Sequence, residues 1–259
     1  MNRYQTTFEQ CKAEGRTAFI PFWMIGDPNP SDSQDMIATI AEQADILELG
    51  MPFSDPLADG PTIQASVNRA LEANTTTTQC FEVITNIRTK FPEKPIGLLV
   101  YLNLIIAFGI EDFFANCAKA SVDSVLIPEL PIEEVDLVKS AAKCHNIALV
   151  FLVSTNTPEE RMQAIFKHSG GFIYAVSTPS ITGAKTEVSN DTLQMIARLK
   201  TETELPICVG FGVSTPEQVQ LLAQNKADGV IIGSKLFSFR KDPAALAKFC
   251  KTCRAATKY

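Results

Sequence analysis

Eight short apolar runs recur along this 259-residue chain, at 17–24, 45–50, 95–101, 123–127, 147–152, 172–176, 206–209 and 229–232, with helical patterns between them. Strands that alternate with helices and are apolar on both faces belong to parallel sheets, because each crossover lays a helix over the sheet. Eight such units in a chain of this length match a closed (β/α)8 barrel, a TIM barrel forming a single domain over 1–259. An internal echo supports the repeat. Ala44-Asp45-Ile46-Leu47, Val122-Asp123-Ser124-Val125-Leu126 and Ala227-Asp228-Gly229-Val230-Ile231 share a small residue, an aspartate and an apolar stretch at strand starts. The competing architecture, a doubly wound open sheet, lacks the Gly-x-Gly-x-x-Gly that should follow its first strand.

Between the runs, the periodicity predicts an additional N-terminal helix over 2–14, as a lid on the bottom of the barrel, and helices over about 31–43, 62–73, 79–91, 111–119, 132–144, 190–201, 214–225 and 243–256. Ser31 is placed as the cap of the second helix. Capping boxes are read at Thr157-Pro158-Glu159-Glu160, which opens one further helix, and at Ser214-x-x-Glu217. The polar stretch 177–189 reads as a mobile loop.

Bulk properties exclude several function classes. A net charge of −6 without a basic cluster argues against nucleic acid. No apolar run is long enough to span a membrane, and Met1-Asn2-Arg3-Tyr4-Gln5 lacks a signal-peptide core, so a soluble, cytoplasmic protein is expected. Seven scattered cysteines fit reduced, buried thiols better than a disulfide framework. Cys250-x-x-Cys253 has no second pair or histidine to complete a zinc site, and no metal is expected. His145 and His168 fall near helix ends, where a cation suits the dipole.

The chemistry concentrates at Glu48. On a strand, Ile46, Glu48 and Gly50 face one way and Leu47 and Leu49 the other. This sets a carboxylate inside an apolar run, where it must be paired, protonated or used. The loop 51–61 that follows carries Asp55 and Asp59, so Glu48 and Asp59 are expected to face each other across a pocket mouth. Asp-Pro and Asp-Gly also read as ordinary turn dipeptides, which leaves a plain loop open for both aspartates.

Barrel active sites lie at the C-terminal strand ends. Those ends here carry Phe22, Glu48, Leu99 with Tyr101, Leu126 to Glu129, Tyr174, Phe211 and Gly233-Ser234, a set suited to a flat apolar ligand. Gly210-Phe211-Gly212-Val213-Ser214 and Gly233-Ser234 follow the last two strands, the usual place for a phosphate, although tight turns alone would also account for them.

These residues resemble the tryptophan synthase alpha subunit family. The likeness rests on Glu48-Leu49-Gly50-x-Pro52-Phe53-Ser54-Asp55-Pro56-x-Ala58-Asp59-Gly60-Pro61, and extends to Gly26-Asp27-Pro28, Gly97-Leu98-Leu99-x-Tyr101-x-Asn103, Thr182-Gly183-Ala184 and Gly210-Phe211-Gly212. It implies retro-aldol cleavage of indole-3-glycerol phosphate to indole and glyceraldehyde 3-phosphate. By that likeness Glu48 is the general acid and Asp59 the carboxylate that bonds the indole N–H. Phe22, Leu99, Leu126 and Phe211 sandwich the ring, Tyr174 meets Glu48 or the glycerol chain, and Thr182 meets Asp59 as a lid closes. Gly183, Gly212, Gly233 and Ser234 hold the phosphate.

The resemblance further implies no cofactor in this subunit. It implies a pyridoxal-phosphate-dependent beta subunit as partner, in an alpha2beta2 assembly through which indole is channelled. Asp55, Pro56, Asn103, Phe108, Glu129 and Pro131 match its docking and signalling surfaces. The match departs at Thr178-Pro179-Ser180, where the family's lid carries glycine, at Met24, where threonine is common, and at Glu129, where aspartate is common. These changes bear on lid closure and signalling more than on the chemistry. Two other readings share the carboxylates: a free-standing indole-glycerol-phosphate lyase or sister phosphate-binding barrel enzyme, and a degenerate subunit that only activates its partner.

Overall fold

The computed structural model describes residues 2–176, 188–210 and 212–259. Among them, eight parallel strands close into a barrel in sequence order. The strands are β1 (Ala18–Met24), β2 (Leu47–Gly50), β3 (Ile96–Leu99), β4 (Ser124–Leu126), β5 (Ala148–Ser154), β6 (Ile173–Val176), β7 (Ile207–Gly210) and β8 (Gly229–Ile232). Closure comes from β1 pairing with β8, with Ala18 opposite Gly229 and Ile20 opposite Ile231. All eight expected strands are present. The loop expected at 177–189 lies almost wholly outside the described residues.

Strand alternation divides the core into two layers. Ile20, Ile46, Leu126, Val150, Tyr174, Cys208 and Ile231 fill the barrel interior. Phe19, Leu47, Leu49, Leu98, Val125, Ile173, Val209 and Val230 face outward under the helices. Helix α1 (Arg3–Ala13) closes the N-terminal end, capped by Asn2, whose side chain accepts from the Tyr4 amide. Its Tyr4 is buried, shares a hydrogen bond with Ser124 Oγ at 2.7 Å and meets the Phe172 ring edge-on at 5.6 Å. The expected lid is therefore a helix with one aromatic plug.

The aspartates of the echo have a structural task at this end. Each caps the strand before its own by accepting a backbone N–H: Asp45 from Phe19, Asp123 from Ile96 and Asp228 from Ile207. Each also meets cations. Asp45 pairs with Arg16 at 2.6 Å and Arg254 at 2.9 Å, Asp123 with Arg3 and Arg88, and Asp228 with Lys200.

Helices α2 (Pro30–Ala41), α3 (Pro61–Glu72) and α4 (Thr77–Lys90) flank the first three strands. Buried Asp27, after β1, accepts two hydrogen bonds from Arg69 at 2.7 and 2.6 Å and one from Ser66 at 2.6 Å. That clamp fixes α3, and with it the end of the loop that carries Asp59.

Several local expectations need correction. Asn29, not Ser31, caps α2, with Pro30 in the first turn. Pro158 precedes α8 (Glu159–His168) without a side-chain cap, because the Thr157 hydroxyl accepts from Ser154 N instead. The capping box of α10 (Pro216–Gln224) is Thr215 with Gln218, one residue beyond the Ser214 pattern. Residues 132–144 divide into a 3-10 turn, Ile132–Glu134, and α7 (Asp136–Cys144). A helix not expected, α5 (Leu102–Phe108), precedes α6 (Ile110–Lys119), with Gly109 at φ 95° between them. Helices α9 (Asn190–Glu202) and α11 (Pro243–Ala255) match the periodicity.

Candidate active site

The C-terminal ends of the strands surround a pocket of about 270 Å³. Glu48 stands on its floor, on the inward face of β2 between Phe22 and Gly97 in register. Gly50, next on that face, leaves room for Phe22, since a Cβ there would lie 2.7 Å from the Phe22 ring. Apolar wall comes from Phe22, Leu99, Ile63, Val213 and Ile231. Asp59 enters from the loop between β2 and α3, so the two carboxylates line one cavity as expected.

Their surroundings differ. Glu48 is 5% exposed, and burial together with the nearby charge of Asp59 pushes its carboxyl up to about 8. A carboxyl in that range holds its proton at neutral pH, which is the state that general-acid chemistry requires. Asp59 is half-buried. Burial raises its carboxyl and a hydrogen bond from Tyr101 opposes the rise. The Tyr101 hydroxyl donates to Asp59 Oδ2 at 3.0 Å and accepts from Ala58 N at 3.1 Å, so one phenol holds both side chain and loop. Its ring stacks on Phe53 at 5.3 Å.

Tyr174, inward on β6, lines the same pocket, and burial then Glu48 push its phenol well up. Gly210 gives that ring its space, because a Cβ there would fall 2.2 Å from the phenol oxygen. Gly212, at φ +75°, joins Gly233 and Ser234 at the rim beyond β7 and β8. A left-handed residue at this turn favours glycine and leaves the backbone open to an anion.

Leu126 lies elsewhere. It lines a small cavity beneath Glu48 with Tyr4, Ser124 and Val150, one layer below the pocket. Thr182, Gly183 and Phe211 lie outside the described residues. Thr62, Ile63, Val213 and Ile231 were not singled out as site residues by sequence, and Tyr101 was placed only among the strand ends, without its bond to Asp59. Ile231 follows from the same inward alternation as Glu48, and Tyr101 from a hydroxyl placed just beyond a strand end. Of the six residues matched to a docking surface, Asp55, Asn103, Glu129 and Pro131 are exposed and Pro56 and Phe108 half-buried. The Glu129 carboxylate accepts from Leu102 N at the start of α5. Among the described residues no cluster of His, Cys, Asp and Glu could hold a metal ion, and no helix is long and apolar enough to cross a membrane.

Comparison with known proteins agrees with this geometry. The family model described as "Tryptophan synthase alpha chain" matches residues 8–252. The tryptophan synthase alpha chain of Aliivibrio fischeri is 43% identical, with 99% of each chain covered. That of Shigella flexneri is 41% identical over 100% of both. Among solved structures, the alpha chain from Legionella pneumophila superposes with a TM-score of 0.90 at 32% identity, covering 99% of this chain and 97% of that one. A tryptophan synthase chain from Mycobacterium tuberculosis gives 0.90 at 27% identity, with both fully covered. A buried acid that shares a pocket with a loop carboxylate, beneath a glycine rim, is thus found in a chain that belongs to the tryptophan synthase alpha chain family.

Proposed function

We propose that the protein cleaves indole-3-glycerol phosphate to indole and glyceraldehyde 3-phosphate. One observation carries this reading: Glu48 is the inward carboxyl on the pocket floor, raised to about 8 and offset by no hydrogen bond or cation among the described residues. In this reading protonated Glu48 gives its proton to indole C3. Positive charge then develops on the ring, and the Asp59 carboxylate accepts the indole N–H and stabilises it. The bond from C3 to the glycerol carbon breaks, its electrons returning to the ring. The hydroxyl on that carbon becomes the carbonyl as its proton passes to the Glu48 carboxylate, which restores the acid.

Phe22, Leu99 and Ile231 enclose the indole, and Phe211 shares in holding the ring as the family likeness implies. Tyr174 holds the glycerol chain or Glu48 itself. Leu126 supports the floor rather than touching the ring. Gly183, Gly212, Gly233 and Ser234 hold the phosphate, and Thr182 closes on Asp59. No cofactor is needed in this chain. The partner is a pyridoxal-phosphate-dependent beta subunit in an alpha2beta2 assembly in the cytoplasm. It docks on the face formed by Asp55, Pro56, Asn103, Phe108, Glu129 and Pro131.

The test is indole release from indole-3-glycerol phosphate, with and without a beta subunit. Slow release that rises many-fold with the partner is expected. Glu48→Gln should abolish it, and Asp59→Asn should lower it at least ~10²-fold, the usual scale for a positioned acid or base. Near-normal cleavage by Glu48→Gln sinks the mechanism. Fast release indifferent to the partner makes this a free-standing lyase. No release, with the partner's own reaction enhanced, makes it a regulatory subunit.

A further inference from the structure

Beside the pocket runs an open groove of about 690 Å³ that shares Pro61, Thr62 and Ser234 with it, so the groove leads directly to the rim read as the phosphate cradle. Its charged lining is Arg69, Lys235 and Arg240, with no carboxylate among its residues. Arg69 is neutralised by Asp27. Lys235 and Arg240 have no ion pair among the described residues. Lys235 is half-buried, rests over the Phe239 ring at 5.3 Å, and its carbonyl is held by the Ser238 hydroxyl at 2.7 Å. Hydroxyls of Thr62 and Ser234 complete the surface with groups able to donate to an anion.

The whole chain carries −6, which repels a phosphate dianion at long range. Two unpaired cations at the mouth of a cleft reverse that field locally, where low-dielectric walls concentrate it. We propose that Lys235 and Arg240 form a cationic entry lip that draws a phosphomonoester into the cradle, and so set the efficiency with which the phosphorylated substrate is captured. The proposal rests on the reading above, in which a phosphorylated substrate is cleaved at a carbon-carbon bond and its phosphate is only held. It assigns these residues to capture, since neither lines the pocket where bonds change.

The experiment is the salt dependence of steady-state cleavage by the double variant Lys235→Gln/Arg240→Gln. A control, Lys12→Gln/Lys226→Gln, removes the same charge at the opposite end of the barrel. At ~10 mM ionic strength the double variant should lose ~3- to 10-fold in kcat/KM, carried by KM with kcat unchanged, and the loss should shrink below ~2-fold at ~0.5 M. Lys235→Arg should restore the Lys235 share. The control should match wild type within ~2-fold. A loss that is equal at all salt concentrations shows packing rather than charge and overturns the proposal. So does an equal loss in the control, or no loss at all. If wild type releases no indole at any ionic strength, the functional reading fails instead. Inorganic phosphate binding by calorimetry then tests the lip alone: a Kd ~3- to 10-fold weaker in the double variant supports it, and an unchanged Kd overturns it.

Discussion

Glu48 and Asp45 lie three residues apart, and the fold treats them oppositely. Asp45, buried at the strand start, is surrounded by Arg16, Arg254 and the Phe19 amide. Glu48, buried near the strand end, has only the charge of another carboxylate for company. Its proton is therefore held more tightly in the folded chain than in the unfolded one. Below about pH 4.5, its ordinary value, both states bind the proton and stability is unaffected. Between there and about 8 the unfolded chain releases the proton while the folded chain keeps it, so stability falls as pH rises. Glu48→Gln removes this dependence. Urea denaturation should show the variant more stable than wild type by on the order of a few kcal/mol at pH 8, with the gap closing toward pH 4.5. Equal stability at both pH values would contradict a strained acid. Strand alternation exposed Glu48 in the sequence because a charged residue on an inward face breaks an otherwise apolar pattern. Tyr101 had no such signature, since an aromatic at a strand end reads equally well as core, and only the path of the Asp59 loop shows what its hydroxyl does.

At the scale of elements, strands were legible and caps were not. Eight apolar runs survive shifts of one or two residues, because burial on both faces is a property of the whole run. A cap depends on one hydroxyl choosing among neighbouring amides, and the sequence offers several. Thr157 turns back to Ser154, and the Gln218 amide donates to the Thr215 hydroxyl rather than to that of Ser214. Helix α5 was missed because seven residues give too little periodicity to separate helix from loop. The repeated aspartates were visible, and their work at the barrel base follows from burial. Asp45 and Arg16 are each 6% exposed at their side chains, whereas Lys200 and Asp228 are 34% and 31% exposed. Asp45→Asn should cost about 3 kcal/mol, since it leaves the buried Arg16 guanidinium with only the exposed Glu14 as a charged partner. Asp228→Asn should cost less than about 1 kcal/mol, since water already screens its pair. Denaturation midpoints of the two variants measure the difference, and equal losses would remove burial as the cause.

For the whole molecule, thiols report on closure. Cys144 is exposed, and Cys11, Cys80, Cys117, Cys208, Cys250 and Cys253 are buried across the fold. Burial pushes the Cys11, Cys80, Cys250 and Cys253 thiols up to about 12, which keeps them protonated and unreactive. A thiol reagent at neutral pH should modify one cysteine quickly, with the other six reacting together at the rate of global unfolding. Staggered reaction of the six would reveal separate units in place of a single barrel. The pairing of β1 with β8, and the reach of Arg254 back to Asp45, also set an order on synthesis. A ribosome delivers β2 with Glu48 early, yet β8 does not begin until Gly229, and the seam cannot be sealed before it. Nascent chains therefore spend most of their elongation with an open sheet edge, in the care of whatever shields such edges in the cell. The pocket is then completed only once β8 and the turn after it are made, and a copy that stops short of them carries Glu48 on an unsealed sheet.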